Sequence, residues 1–131
     1  MNPVDKYLPT ALQAVADPEN GLYENGRIKR VYKGYVSAFG TIVKQSGLLP
    51  AAVLYGKQVG DSENNKRADG NKTLITDLLH RILQPQLNYS EQNFLDFAFR
   101  HKDDFTVRRE VLRAAVALKL ALRTQKFTEN E

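Results

Sequence analysis

The chain has 131 residues, 42% of them hydrophobic, with a formal net charge of +4 and a pI near 9.4. That is one domain's length with enough apolar side chains for a core, and it lies outside the disordered range. The absence of cysteine excludes a disulfide framework and thiolate chemistry. No stretch nears the roughly 20 apolar residues that span a bilayer, and MNPVDKYLPTALQAVADP lacks the apolar run of a signal peptide. A cytoplasmic protein is expected.

The predicted elements are helical nearly throughout, about six of them, giving an all-α, compact single-domain bundle over residues 1–131. A first helix lies within Val4–Ala16, its start delayed or kinked by Pro9 and its end set by DPENG. RIKRVYKGYVSAFGTIVKQSG, from Arg27 to Gly47, reads as one long second helix. Its apolar residues Ile28, Val31, Tyr32, Tyr35, Val36, Phe39, Ile42 and Val43 step by three and four, and Gly47 supplies a left-handed stop. LLPAAVLYGK is a short, buried third helix that tolerates Pro50 in its first turn. Residues 58–71, QVGDSENNKRADGN, predict a flexible surface loop. A fourth helix follows over Thr73–Leu83, closed by Pro85. Ser90 is the expected N-cap of a fifth, EQNFLDFAFRHK, and Thr106 that of the sixth, VRREVLRAAVALKLALRTQK. The tail TENE is expected to fray, and no strand pattern persists beyond a few residues.

Catalysis finds little support. His80 and His101 fall in different helices without ligand-like neighbours, and each reads as a surface or half-buried side chain. Asp103 and Asp104 precede the last helix, where acids complement the helix dipole. DSENNK alternates calcium-type ligands but places Lys66 where such a loop needs glycine, and DGNKT lacks the spacing of a phosphate loop. No catalytic residue, metal or cofactor is assigned. A helix-turn-helix that reads DNA bases is also disfavoured. The helix after Gly47 offers Leu48, Leu49, Ala51, Ala52, Val53 and Leu54, not the Arg, Asn or Gln that read base edges.

The charges, by contrast, are segregated. From Asn25 to Gly60 the sequence contains no Asp or Glu. Solvated helix faces ordinarily mix signs, because like charges at (i, i+4), such as Lys29 and Lys33, destabilise. Lys29, Arg30, Lys33 and Lys44 fall in a sector of roughly 100° that also holds Ser37 and Gly40, with Gly34 at its edge. Glycine in a helix interior costs about 0.5–1 kcal/mol relative to Ala, so small residues between cations fit a phosphate backbone that approaches closely. In the last helix Val107, Val111, Ala114, Leu118, Ala121 and Leu122 form a core face, and Leu112, Val116 and Leu120 form a second apolar row. Arg108, Arg109, Arg113, Lys119 and Arg123 flank that row, with Glu110 the only acid. A helix apolar on two sides is either central in the core or packs on a partner, and the flanking cations favour the partner.

YKGYVSAFGTIVKQSGLLPAAVLYGK (Tyr32–Lys57), a variable loop, LITDLLHRIL and RREVLRAAVALKLAL, in that order, resemble the small helical subunit of the Cmr complex, the type III-B CRISPR RNA-guided effector of antiviral defence. The Ser46-Gly47-Leu48 junction and the pattern Arg109-Glu110…Ala115…Leu118-Lys119 carry the resemblance best. It implies a bundle that stacks head to tail beside a backbone filament holding the guide RNA. Such a subunit helps hold target RNA through basic surfaces and has no nuclease activity of its own. The implied partners are other Cmr subunits, including copies of itself, the backbone subunit and the large subunit, with guide and target RNA and no membrane. On this reading Lys29, Arg30, Lys33, Lys44, Lys57, Arg108 and Arg109 are candidate RNA contacts, and Leu112, Arg113, Val116, Lys119, Leu120 and Arg123 a candidate subunit interface. The alternative is a helical protein-binding adaptor whose cations meet acidic partner surfaces without touching nucleic acid.

Overall fold

The computed structural model describes residues 2–56 and 70–128. Among these, the order is α1 (Leu8–Ala16), β1 (Tyr23–Glu24), β2 (Arg27–Ile28), α2 (Val31–Ser46), α3 (Leu48–Tyr55), α4 (Thr73–Leu87), α5 (Phe94–Arg100) and α6 (Phe105–Leu122). The class is all-α, with one small hairpin. Most of the loop expected at 58–71 lies outside the described residues; its last two, Gly70 and Asn71, rest on α2. A Cβ on Gly70 would meet Val31 Cγ1 at 2.8 Å, and the Asn71 amide donates to the Tyr32 hydroxyl at 3.1 Å.

The second helix starts later than its apolar periodicity implies. Arg27 and Ile28 belong to β2, which pairs antiparallel with β1 in the register Tyr23↔Ile28 and Glu24↔Arg27. The two-residue loop between them is Asn25-Gly26, with φ of 54° and 79°. An Asn-Gly pair with both φ positive is the turn whose twist matches a hairpin. Ile28 exchanges backbone hydrogen bonds with the carboxy-terminal segment, from its own N–H to the Lys126 carbonyl and from the Thr128 N–H to its carbonyl, each at 2.9 Å. Thr128 is therefore tied down where fraying was expected, while residues 129–131 lie outside the described set.

Other boundaries move for local reasons. α1 begins at Leu8, inside the expected Val4–Ala16 span, with Pro9 in its first turn, where a missing N–H costs nothing. α4 runs past Pro85 to Leu87 and ends on Asn88, whose left-handed φ of 54° lets its N–H reach the Gln84 carbonyl. Asn93, not Ser90, caps α5 by accepting from the Asp96 N–H. Asp104, not Thr106, caps α6, accepting from Thr106 and Val107. The acid before this helix thus acts on its free amides, as expected of that position.

α6 is the central helix and packs against α1, α2 and α4, while α3 joins α2 to α4 and α5. Its buried Ala114, Ala115, Ala117 and Ala121, with Ala11 and Ala14 of α1, keep the contact side chains small and so let helix axes approach closely. Val36, Phe39 and Val43 of α2 and Val111, Leu118 and Leu122 of α6 are buried, whereas Val107 is only half-buried. The Phe39 ring meets Tyr55 at 5.1 Å and Phe94 at 5.9 Å, both edge-on, the favoured geometry for ring quadrupoles.

One charge lies inside this packing. Glu110 is 6% exposed and accepts from the Tyr7 hydroxyl at 2.5 Å, from Lys6 Nζ at 2.7 Å and from Arg113 at 2.6 Å. Burial raises its pKa, but the hydrogen bonds from Lys6 and Tyr7 and the charges of Lys6 and Arg113 outweigh burial and hold the carboxyl below the usual glutamate range. The only acid of α6's basic stretch is therefore turned toward α1, and of the α6 cations it pairs with Arg113.

Candidate nucleic-acid interface

Where α2 and α6 pack, their outward sides leave a groove made of two adjoining clefts of about 450 and 620 Å³ that share Ser37 and Lys119. From α2 come Val36, Ser37, Gly40, Thr41 and Lys44 at one end, and Val31, Lys33, Gly34 and Tyr35 at the other, where Arg30 precedes the helix. From α6 come Arg109, Leu112, Arg113, Ala115, Val116, Lys119 and Arg123. No described carboxylate lines either cleft.

Two groups of residues that the sequence separates thus converge on one site. Arg30, Lys33, Lys44 and Arg109 of the candidate RNA contacts face Leu112, Arg113, Val116, Lys119 and Arg123 of the candidate subunit interface. Lys44, Arg109, Lys119 and Arg123 make no ion pair with a described residue. Arg113 is partly neutralised by Glu110. Arg30 is anchored by a bond from its Nε to the Thr128 carbonyl at 3.2 Å, and Lys33 Nζ stands 5.9 Å from the Phe127 ring centroid.

Three residues stand apart from the groove lining. Lys29 precedes α2 instead of lying on its face, and its Nζ is 3.9 Å from the Glu24 carboxylate, so it is neither helical nor acid-free in its surroundings. Arg108 donates to the Lys44 carbonyl at 2.5 Å, which satisfies one of the free carbonyls at the α2 carboxy terminus. Leu120 is 42% exposed but off the groove lining. Lys57 lies outside the described residues.

The second apolar row is surface, not core. Val116 is 47% exposed and Leu112 half-buried. Gly34 and Gly40 face open space, since a Cβ at either position would meet nothing within 4 Å. Packing among the described residues does not demand them.

The histidines are separate. The Tyr89 hydroxyl lies 2.7 Å from His80 Nδ1, and the His101 ring packs at 5.0 Å from Phe97. Among the described residues no cluster of His, Asp and Glu is placed to hold a metal ion, and no helix is long and apolar enough to cross a membrane.

No curated protein and no solved structure matches the chain. The family model described as CRISPR-associated protein (Cas_Cmr5) matches residues 5–123, a span that contains α1 through α6 and both walls of the groove. The chain belongs to the Cmr5 family of CRISPR-associated proteins, the small subunit of the type III-B Cmr effector complex.

Proposed function

We propose that the chain works as a single, non-catalytic helical domain in the cytoplasm, stacking along the Cmr effector and contacting RNA phosphates through the α2–α6 groove. Its neighbours on this reading are copies of itself, the backbone subunit and the large subunit, with guide and target RNA. The observation that carries the RNA contact is the groove's chemistry. Cations from two helices converge there with no described carboxylate among them, and Gly34 and Gly40 leave the backbone between them open. A protein surface ordinarily intersperses the two signs of charge. A phosphate chain supplies the missing negative charge at regular spacing, and released counterions drive its binding.

The test is binding of the isolated chain to single-stranded RNA over a series of salt concentrations. A log–log slope of about −0.7 per phosphate neutralised is expected, with the same affinity for unrelated sequences because phosphate contacts carry no base information. Equal affinity at low and high salt overturns the reading. The exposed Val116 on the α6 wall favours a second reading, in which the groove receives an acidic segment of a partner subunit. In that case the free chain shows no affinity for RNA at low salt.

A further inference from the structure

The most exposed large apolar side chain among the described residues is Phe105, at 76%. It is the first residue of α6, and no part of the core uses it. At about 100° per residue Phe105 falls within roughly 20° of Leu112, Val116 and Arg123 on the α6 wheel. Arg109, which lines the groove, lies one turn further on, roughly 6 Å along the axis. Phe105 therefore stands on the same face of α6, one turn before the groove lining begins at Arg109.

A cation lies against the ring. The Arg108 guanidinium carbon stands 5.7 Å from its centroid, and Arg108 is itself held by the Lys44 carbonyl. Two acids precede Phe105 in the chain: Asp104 is turned to the first amides of α6 and accepts from them, and Asp103 is exposed, with Lys102 Nζ 4.0 Å away. At 76% exposure the guanidinium covers only part of the ring, which leaves a face free for a planar group.

We propose that Phe105 is a stacking platform for one unpaired nucleobase of the RNA strand whose phosphates lie along the α2–α6 groove. This rests on the RNA reading of the groove and adds a preference for single strands. Every base offers a π-face to an aromatic ring, so the contact tolerates any sequence. A base within a duplex already has both faces stacked, and duplex RNA reaches only the cations. A protein partner fits less well, because docking an apolar side chain on Phe105 desolvates the Arg108 guanidinium that stands against the ring. RNA supplies a stacking face and phosphates together.

The experiment uses the full chain and a short single-stranded oligoribonucleotide carrying 2-aminopurine, alongside the same sequence as a duplex. Phe105→Ala should weaken single-strand binding by about 5- to 150-fold, leave the salt slope unchanged and abolish the 2-aminopurine quenching seen with the unmodified chain. Phe105→Trp should retain binding and quenching, and duplex affinity should be the same for all three. Phe99→Ala removes another exposed ring, 61% exposed on α5 and outside the groove lining, and should change nothing. Losses of equal size in Phe99→Ala and Phe105→Ala overturn the platform. So does normal single-strand binding by Phe105→Ala when the groove variant Lys33→Glu/Lys119→Glu/Arg123→Glu has lost it; the groove reading then stands alone. Normal binding by both variants overturns the groove reading and the platform with it.

Discussion

Glu110→Ala removes the one buried carboxylate of α6, and its cost can be worked from three contacts. Tyr7 is fully buried and donates its hydroxyl to Glu110; without an acceptor, that hydroxyl costs about 1–3 kcal/mol. The Lys6 and Arg113 side chains are 41% and 29% exposed, so each can turn to water, and each pair contributes about 1 kcal/mol or less. The total is about 1–5 kcal/mol. At this length 1 kcal/mol moves Tm by roughly 3–4 °C, so the melting point should fall by about 3–20 °C. Glu110→Gln keeps an acceptor for Tyr7 and should cost only the ion pairs. Adding Tyr7→Phe to Glu110→Ala removes the stranded hydroxyl and should recover part of the loss, because deleting both partners of a buried hydrogen bond is far cheaper than deleting one. Urea denaturation followed by circular dichroism measures all four proteins. The depressed pKa adds a sign. Stability from Glu110 is fully present above the ordinary glutamate pKa and is lost as pH falls through the lower folded value, so Glu110→Gln should flatten that acid limb. No recovery from Tyr7→Phe, or a Gln variant as damaged as the Ala variant, refutes the reasoning.

Val116→Glu places a charge at a site 47% exposed, so the free chain should stay folded within about 0.5 kcal/mol while incorporation into the Cmr complex fails; unfolding of the free chain would show the row to be core. Gly40→Ala meets nothing within 4 Å and should stabilise the isolated chain by about 0.5–1 kcal/mol while weakening RNA binding, an outcome opposite in sign for the two measurements. Burial outweighs the nearby Asp77 charge and lowers the His80 pKa, so the unfolded chain takes up the proton first. Stability should decline as pH falls through the ordinary histidine value of about 6.5, and His80→Gln should remove that slope in a pH series of melting curves.

The helices were legible because their apolar residues keep a step of three and four, as Val36, Phe39 and Val43 do on α2 and Val111, Leu118 and Leu122 on α6. What misled was periodicity carried too far. Ile28 falls on the same wheel sector as the α2 core face and is indeed buried, but as a strand residue. The correcting signal was present in Asn25-Gly26, a two-residue hairpin turn that should outrank a helical step. The caps were missed by two and three residues, since Ser90 and Thr106 are reasonable caps in isolation and only backbone geometry selects Asn93 and Asp104. The partnership of Glu110 with Lys6 and Tyr7 had no local signal, because it joins residues about a hundred positions apart. The same distance hid the groove: α2 and α6 each displayed their cations, but nothing in either stretch announces that the two faces meet.

The most direct measurement compares the isolated chain with its Lys33→Glu/Lys119→Glu/Arg123→Glu variant in filter binding to single-stranded RNA across salt. These residues line the groove from both helices, and their removal opens no cavity in the core. Helical content and Tm should therefore stay close to those of the unmodified chain, at no more than about 0.5 kcal/mol per surface substitution. RNA affinity should fall for every sequence alike, most at low salt, with the difference shrinking as screening shortens the reach of the charges. A folded variant that captures RNA normally at low salt contradicts the account and assigns the groove to a protein partner.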